Sequence, residues 1–392
     1  MKIEKIYIGG WFQRTMLHLT EIYDFLRGEK SHLDLNEKKL KELRDNLEIK
    51  SIEYGVNGFE CVKIYTVNDL EIKIYEDGLI VLNSGNTSGE SVFTDIKEIA
   101  AYYETKFSPA ISYIFSLGAP IPKELAGIKT IYPYFIVFNN ETSENISKLL
   151  SETDRKKYFE FKNKDVDILR GDEYYFINNK TGKLPQIERY IEEQIFFREF
   201  KGQLHRYLNL HRIIWEKIAD VKEKPRVKGK DILEFSSKID EYAKTINLVD
   251  SRINQMNTYL RTREKISKND EALKHFTDIM EYRYETLGDT LAYIQQIWVM
   301  TKNYVNSAKS LFSDLQSEIT SKSVENLTIV TSMGVGASLI GLFTDSMPTF
   351  SIYGIMYFGI LAIIGYTTNK IMKKVSENRK YEIGDKDYSN IK

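Results

Sequence analysis

The sequence predicts an α/β domain, then a long α-helical stalk, then a two-helix transmembrane hairpin. Three observations carry that reading. The first 180 or so residues alternate polar and apolar side chains between turn signals, Ile232–Leu260 keeps a heptad rhythm, and two long runs near the C-terminus lack charge. The domain boundaries that follow are 1–183 for the α/β domain, 184–325 for the stalk, 326–369 for the hairpin and 370–392 for a basic tail.

In the first domain Lys2–Ile8 alternates as a strand, and Thr15–Leu26 carries apolar residues at helical spacing. Ser51–Val56, Glu60–Val67, Leu70–Tyr75 and Leu79–Asn83 then alternate with period two. Between them stand Asn57-Gly58, Asn68-Asp69 and Glu76-Asp77-Gly78, residues that hairpin turns favour, so the four form an antiparallel meander. Helices are expected at Asp95–Phe107 and Asn145–Ser151, and strands at Ile128–Phe138 and Tyr174–Asn178.

From Leu184 the texture changes. Pro185 suits a first helical turn, and a helix can run to about Glu223. Lys224-Pro225-Arg226-Val227-Lys228-Gly229 breaks it. Beyond the break Ile232, Phe235, Ile239, Tyr242, Ile246, Val249, Ile253, Met256 and Leu260 follow one another at spacings of three and four, the rhythm of a coiled coil or a long antiparallel helix pair. After a polar interruption at Ser267–Asp270 helical spacing resumes from Leu273 to Ile319, and no proline occurs between Pro225 and Pro348. One helix can therefore pass from the stalk into the membrane.

Asn326–Thr344 is 19 residues without a charge and Ser346–Asn369 another 24. At about 1.5 Å per residue each is long enough for a hydrocarbon core, giving spans at 326–344 and 348–369 in the lipid bilayer. The short connector Thr344–Pro348 forces an antiparallel hairpin. Lys370, Lys373, Lys374, Arg379 and Lys380 follow the second span against the single acid Glu377. That excess of cations puts both termini in the cytoplasm and the protein in the inner, or plasma, membrane. The first span carries Thr328, Thr331, Gly334, Ser338, Gly341 and Asp345 on one helical face. Two readings are open: small residues that let helices pack closely, or a pore lining that ends in an acidic ring.

The remaining composition narrows the function classes. Net charge is −1 from 55 basic and 56 acidic residues, so no global field favours nucleic acid, and no direct nucleic-acid binding is expected. Cys61 is the only cysteine, which excludes an internal disulfide and a CxxC metal site. The opening MKIEKIYIGG has no apolar core of signal-peptide length. P-loop, HExxH, GxSxG and Rossmann motifs are missing, so the chain does not read as an enzyme and no catalytic residue or bound cofactor is expected. His205 and His211, six apart, fall about 120° apart around a helix and make no metal pair. Asn83–Gly89, rich in Ser, Asn and Gly, reads as a loop after a strand, with phosphate cradling the sharper alternative. Arg226, Lys228 and Lys230 read as a solvated hinge.

The candidate ligand site is Gly10, Trp11, Gln13 and Arg14, in the run Gly9-Gly10-Trp11-Phe12-Gln13-Arg14-Thr15 after the first strand. An indole and a guanidinium can stack on and pair with a nucleotide there. The plainer reading is a strand-to-helix turn with a packed tryptophan.

The layout as a whole resembles the CorA family of divalent-cation channels, in which the first span lines the pore of a homopentamer. The resemblance implies a CorA-like fold, a homo-oligomer, most simply a pentamer, and possible Mg2+ permeation. Where that family carries Gly-Met-Asn after the first span, this chain reads Gly341-Leu342-Phe343-Thr344-Asp345-Ser346-Met347, so the family's selectivity loop is not carried over. Ile6–Thr15 with Leu17-His18-Leu19, and Asp250–Met256, are similar to a CorA-like branch associated with type III CRISPR systems. That similarity implies a membrane effector of antiviral defence, gated by a nucleotide second messenger, S-adenosylmethionine joined to AMP. A constitutive divalent-cation transporter and a membrane-tethered scaffold without a pore are the alternatives.

Overall fold

The computed structural model describes residues 3–12, 18–29, 35–57, 59–85, 92–115, 133–152, 156–222, 224–343 and 352–383. The elements run β1 (Ile3–Trp11), α1 (Leu19–Arg27), α2 (Glu37–Asp45), β2 (Ile49–Asn57), β3 (Phe59–Thr66), β4 (Leu70–Tyr75), β5 (Leu79–Ser84) and α3 (Val92–Tyr102). A π-helical turn (Tyr103–Phe107) leads into α4 (Ser108–Phe115), β6 (Tyr134–Asn139), α5 (Ser143–Glu152), β7 (Phe159–Lys162), β8 (Val166–Arg170) and β9 (Tyr174–Asn179). Then come α6 (Leu184–Lys222), β10 (Arg226–Lys228), α7 (Gly229–Asn269), a 3-10 turn (Glu271–Phe276), α8 (Thr277–Phe343), α9 (Ile352–Asn378) and β11 (Lys380–Glu382).

The chain divides into two compact units, 1–208 with 250–295, and 209–249 with 296–392. The first is built on a nine-stranded sheet of order β2-β3-β4-β5-β1-β6-β9-β8-β7. The predicted meander is there: β2 to β5 pair in sequence, all antiparallel. The Asp77-Gly78 turn closes β4 onto β5 with Gly78 at φ +92, a left-handed conformation that glycine adopts at little cost. β1 lies between β5 and β6, antiparallel to both, and β6 pairs with β9 in the sheet's one parallel step among the described strands.

Both faces of this sheet are covered. Ile6, Ile8, Val62, Ile64, Ile72, Ile74, Ile80 and Leu82 belong to one apolar core with residues of α1 to α5. The alternate residues of the same strands, among them Tyr7, Trp11, Lys73 and Tyr75, meet the first part of α6 and the last part of α7. Gly9 makes that second layer possible: a Cβ there would lie 2.5 Å from the Ile80 carbonyl oxygen and 2.9 Å from the Ile195 side chain. The helix rests directly on the strand.

The second unit is helical. Trp215 of α6 stacks on Tyr304 of α8 at 4.2 Å, and Phe235 of α7 lies 6.0 Å from Phe312 of α8. His211 Nδ1 is 2.6 Å from Thr301 Oγ1, a bond between α6 and α8 within this unit. The heptad positions behave as the rhythm predicts: Ile232, Ile239, Ile246, Val249, Ile253, Met256 and Leu260 are buried, and Phe235 and Tyr242 half-buried.

Several boundaries differ from the sequence reading. The first helix is described from Leu19 rather than Thr15, and the strand expected at Ile128–Phe138 is described as Tyr134–Asn139. The single helix expected over Asp95–Phe107 ends as an α-helix at Tyr102 and passes through the π turn into α4. That wide turn buries Tyr103 and Phe107 together at 2 % and 0 % exposure.

The two charge-free runs are carried by the end of α8 and by α9. Among the described residues, no helix is long and apolar enough to cross a membrane. The structure therefore contributes two helices at the expected places, and residues 344–351 between them lie outside the described residues.

Candidate functional site

The helix-covered face of the sheet holds a network of buried charge built by α6. Glu188 and Glu192 are one turn apart on that helix, an arrangement that repels in isolation. Here the strands supply the cations. Lys5 Nζ lies 2.9 Å from Glu188 Oε1, and the Tyr7 hydroxyl donates to the same oxygen at 2.8 Å. Lys73, 8 % exposed, donates to Glu188 Oε2 and to Glu192 Oε1, each at 3.3 Å. The Tyr75 hydroxyl donates to Glu192 Oε1 at 2.6 Å. Arg189 then ties Glu192, at 2.7 Å, to Asp270 at the head of the 3-10 turn, at 2.9 Å.

A second knot lies beside it. Arg263 of α7, 1 % exposed, donates through Nε to Asp77 Oδ2 at 2.7 Å and through Nη1 to Glu193 Oε1 at 3.0 Å. The Tyr284 hydroxyl of α8 donates to Glu193 Oε2 at 2.5 Å. The guanidinium also lies 4.7 Å from the Phe196 ring centroid, a cation–π contact in a desolvated place. Asp77 does three things at the β4–β5 turn. Its Oδ1 accepts from the Leu79 N–H, its Oδ2 holds Arg263, and its carbonyl accepts from the Trp11 indole N–H at 2.8 Å.

Electrostatics keep Lys73, Glu188 and Arg263 charged, whereas burial pushes the Glu193 carboxyl up against the pull of Arg263 and the Tyr284 hydroxyl. Burial pulls the Lys73 ammonium down, but Glu192, Glu188 and Glu71 outweigh it and leave its pKa above the ordinary lysine value. Burial pushes the Glu188 carboxyl up, but Lys73 with Lys5 and the Tyr7 hydroxyl outweigh it and leave the group below its ordinary value. For Arg263 the burial cost is overcome by Asp77 and Glu193. Cys61, on β3 beside this layer, is an inert thiol pushed up to about 12, by burial first and then by Glu192.

The network opens on a cleft of about 700 Å³ between β3, β4, the start of α6 and the end of α7, a volume suited to a nucleotide-sized ligand. Lys63 and Lys265 line it as cations, the Tyr75 ring forms part of its wall, and Glu188, Glu192, Asp270 and Glu271 supply carboxylates. A ligand that carries both a phosphate and a cationic centre would find partners for each.

Compared with known proteins, the chain matches no family model and no curated sequence.

The predicted ligand residues divide. Gly10 is buried in β1, in register with Ile80. Trp11 is 2 % exposed and packs against Phe196, Phe200 and Tyr259, with its N–H committed to Asp77. That is the position of a core tryptophan joining sheet to helices. Gln13 and Arg14 lie outside the described residues. Of the predicted pore stripe, Thr328 and Thr331 are exposed on α8, Gly334, Ser338 and Gly341 continue the same helix, and Asp345 lies outside the described residues. Asn83 is a buried strand residue that donates to Glu71, while residues 86–89 of its loop fall outside. Among the described residues no group of three or more His, Cys, Asp or Glu side chains is arranged to hold a metal ion.

The cleft residues escaped the sequence reading, although a signal existed. Lys5, Lys63 and Lys73 occupy one parity of their strands, and α6 brings a Glu-x-x-x-Glu pair with an intervening arginine. Cations in the alternate positions of strands read as solvent-facing until a helix with matching acids is known to cover them.

Proposed function

We propose that this chain is a ligand-gated membrane effector, with the charged cleft as its receptor site and α8 as the element that carries the signal. The observation that carries the reading is the continuity of α8. One 67-residue helix buries Tyr284, Leu287, Leu291 and Ile294 in the first unit and continues without a break through the charge-free run from Asn326 as far as Phe343. The membrane part of the reading is supported by α9, where Met356, Ile360, Ile363, Ile364 and Ile371 are each more than half exposed. Lipid is a solvent that accepts such a surface. In this reading the two helices form an antiparallel hairpin with both termini cytoplasmic, and a homo-oligomer, a pentamer in the CorA-like arrangement, surrounds a path lined by the Thr328, Thr331, Gly334, Ser338 and Gly341 face.

The ligand is a nucleotide messenger of the S-adenosylmethionine–AMP kind. Its phosphate meets Lys63 and Lys265, and its sulfonium and ammonium meet the carboxylates of the cleft. Binding redistributes the ion pairs that join β4 to α6 and α7, which is the kind of local charge change that biases a two-state element. On this reading the chain serves type III CRISPR antiviral defence, in which opening the membrane halts the infected cell.

The test is calorimetry with adenylated S-adenosylmethionine, followed by dye release from vesicles carrying the full chain. Wild type is expected to bind and to release dye. Lys63→Ala with Lys265→Ala should lose roughly ten- to hundredfold in affinity, as expected for charge-assisted contacts. Binding without release would remove the pore, and absence of binding would remove the messenger.

A further inference from the structure

The short strands β10 and β11 join residues 156 apart in sequence, bringing the α6–α7 connection onto the chain that leaves α9. Three features clamp this small sheet in place. Val227, Tyr381 and Ile383 turn inward at 4 %, 5 % and 6 % exposure. The Gly229 N–H donates to the Arg379 carbonyl, and the Ile383 N–H to that of Pro225. Gly229 is also flush against α9, where a Cβ would lie 2.5 Å from the Ser376 carbonyl oxygen. Lys322 of α8 stands 5.7 Å from the Tyr381 ring centroid, four residues before the charge-free run begins at Asn326.

The other side of the sheet carries charge. In the register Arg226 faces Glu382, and the two form an ion pair at 3.0 Å. The next pair is Lys228 opposite Lys380, two cations directly across an antiparallel ladder. Like charges in that relation destabilise a sheet. Arg379, Lys230 and Lys374 are exposed close by in sequence and add to the same sign. The inward anchors hold together a pair that calls for an anion between them.

We propose that this face of the β10–β11 sheet is a docking site for the phosphate headgroup of an anionic lipid, seated between Lys228 and Lys380. The proposal rests on the reading of α8 and α9 as a membrane hairpin. Lipid is favoured over soluble phosphate by the end of α9 that leads into β11: there Ile371 and Val375, 64 % and 63 % exposed, flank Lys374 in sequence and offer apolar surface to acyl chains. A cationic cluster at the cytoplasmic end of a membrane helix is where anionic headgroups concentrate.

The experiment uses the full chain in neutral detergent, with thermal melts and native mass spectrometry against phosphatidylglycerol, phosphatidylcholine and inorganic phosphate. Phosphatidylglycerol is expected to raise the melting temperature and to be retained, and the other two are not. Lys228→Gln with Lys380→Gln should weaken retention roughly 20- to 30-fold, the loss of two basic contacts. Lys380→Glu turns the repelling pair into an attracting one, so it should melt higher than wild type without lipid and lose the lipid response. An equal response to inorganic phosphate, no response in wild type, or a full response in Lys380→Glu overturns the site. Flotation with vesicles after an alkaline carbonate wash judges the hairpin separately. A chain that stays with the vesicles but ignores phosphatidylglycerol loses the docking site alone, and a chain that washes off loses the hairpin and the lipid site with it.

Discussion

Ile72 and Lys73 are neighbours on β4, buried to 1 % and 8 %, and they point to opposite faces of the sheet. Ile72 enters the apolar core made with α1 to α5. Burial of such a side chain contributes about 1.5–3 kcal/mol with no demand on the partner beyond shape. Lys73 enters a layer where Glu188 and Glu192 must both be in place. There the cost of desolvating ions roughly cancels their attraction, so the pairs add little net stability while any missing member is expensive. The apolar face holds the domain together. The ionic face fixes how the start of α6 and the end of α7 lie on it.

The largest effect should come from orphaning buried charge. Arg263→Met strands Asp77 and Glu193 and is expected to cost about 3–5 kcal/mol in denaturant unfolding. Adding Asp77→Asn and Glu193→Gln should restore much of it, because neutral partners need no counter-charge. On the apolar face Ile72→Ala should cost about 2–5 kcal/mol, and no polar substitution nearby should rescue it. If Arg263→Met is not rescued, the two faces are stabilised alike and the contrast fails.

The smallest of the three effects adds a pH signature. Glu188→Gln should cost about 1.5–3 kcal/mol at neutral pH, the size of hydrogen bonds to a charged group. Because the folded carboxyl lies below its ordinary value of 4.5, its contribution is complete above that pH. It is lost as pH falls through the lowered folded value. Wild type and variant should therefore converge in acid in urea titrations run across that range, and parallel curves would show that Glu188 is not the titrating group.

Much of the architecture was legible because its causes are local. Four meander strands were placed to within a residue or two, since period-two alternation and the Asp77-Gly78 turn are written in adjacent residues. The stalk helices were legible from the heptad and from Pro225. α2 was missed because Leu40 is its only buried residue, so it has no apolar stripe, and its start depends on the Asn36 side chain accepting from the Lys39 N–H. β7 was missed for a related reason: Glu160 and Lys162 are exposed and its pairing with β8 does the work that side-chain burial does elsewhere. The cleft was present in the sequence only as separate halves, lysines of one strand parity and a Glu-x-x-x-Glu pair on a helix. Its two halves meet across long separations, 81 residues for Arg189 and Asp270 and 115 for Lys73 and Glu188, and nothing in one sequence pairs them. Trp11 was singled out for the ligand chemistry of its indole, but Phe196, Phe200 and Tyr259, far along the chain, make it a packed core residue.

The place of β1 bears on how the chain is made. It is synthesised before the other described strands of the sheet, yet its two neighbours are β5, ending at Ser84, and β6, ending at Asn139. At translation rates of about 5–20 residues per second, the first of these leaves the ribosome roughly 4–15 s after β1 and the second roughly 6–26 s after it. Through that interval an apolar strand has both edges open, the condition under which nascent chains pair with one another. The β2–β5 meander pairs its strands only with one another, so its ladder can form as soon as it emerges. It then presents the free edge of β5 as a template, so newborn β1 has a partner of its own chain well before α6 arrives to cover it.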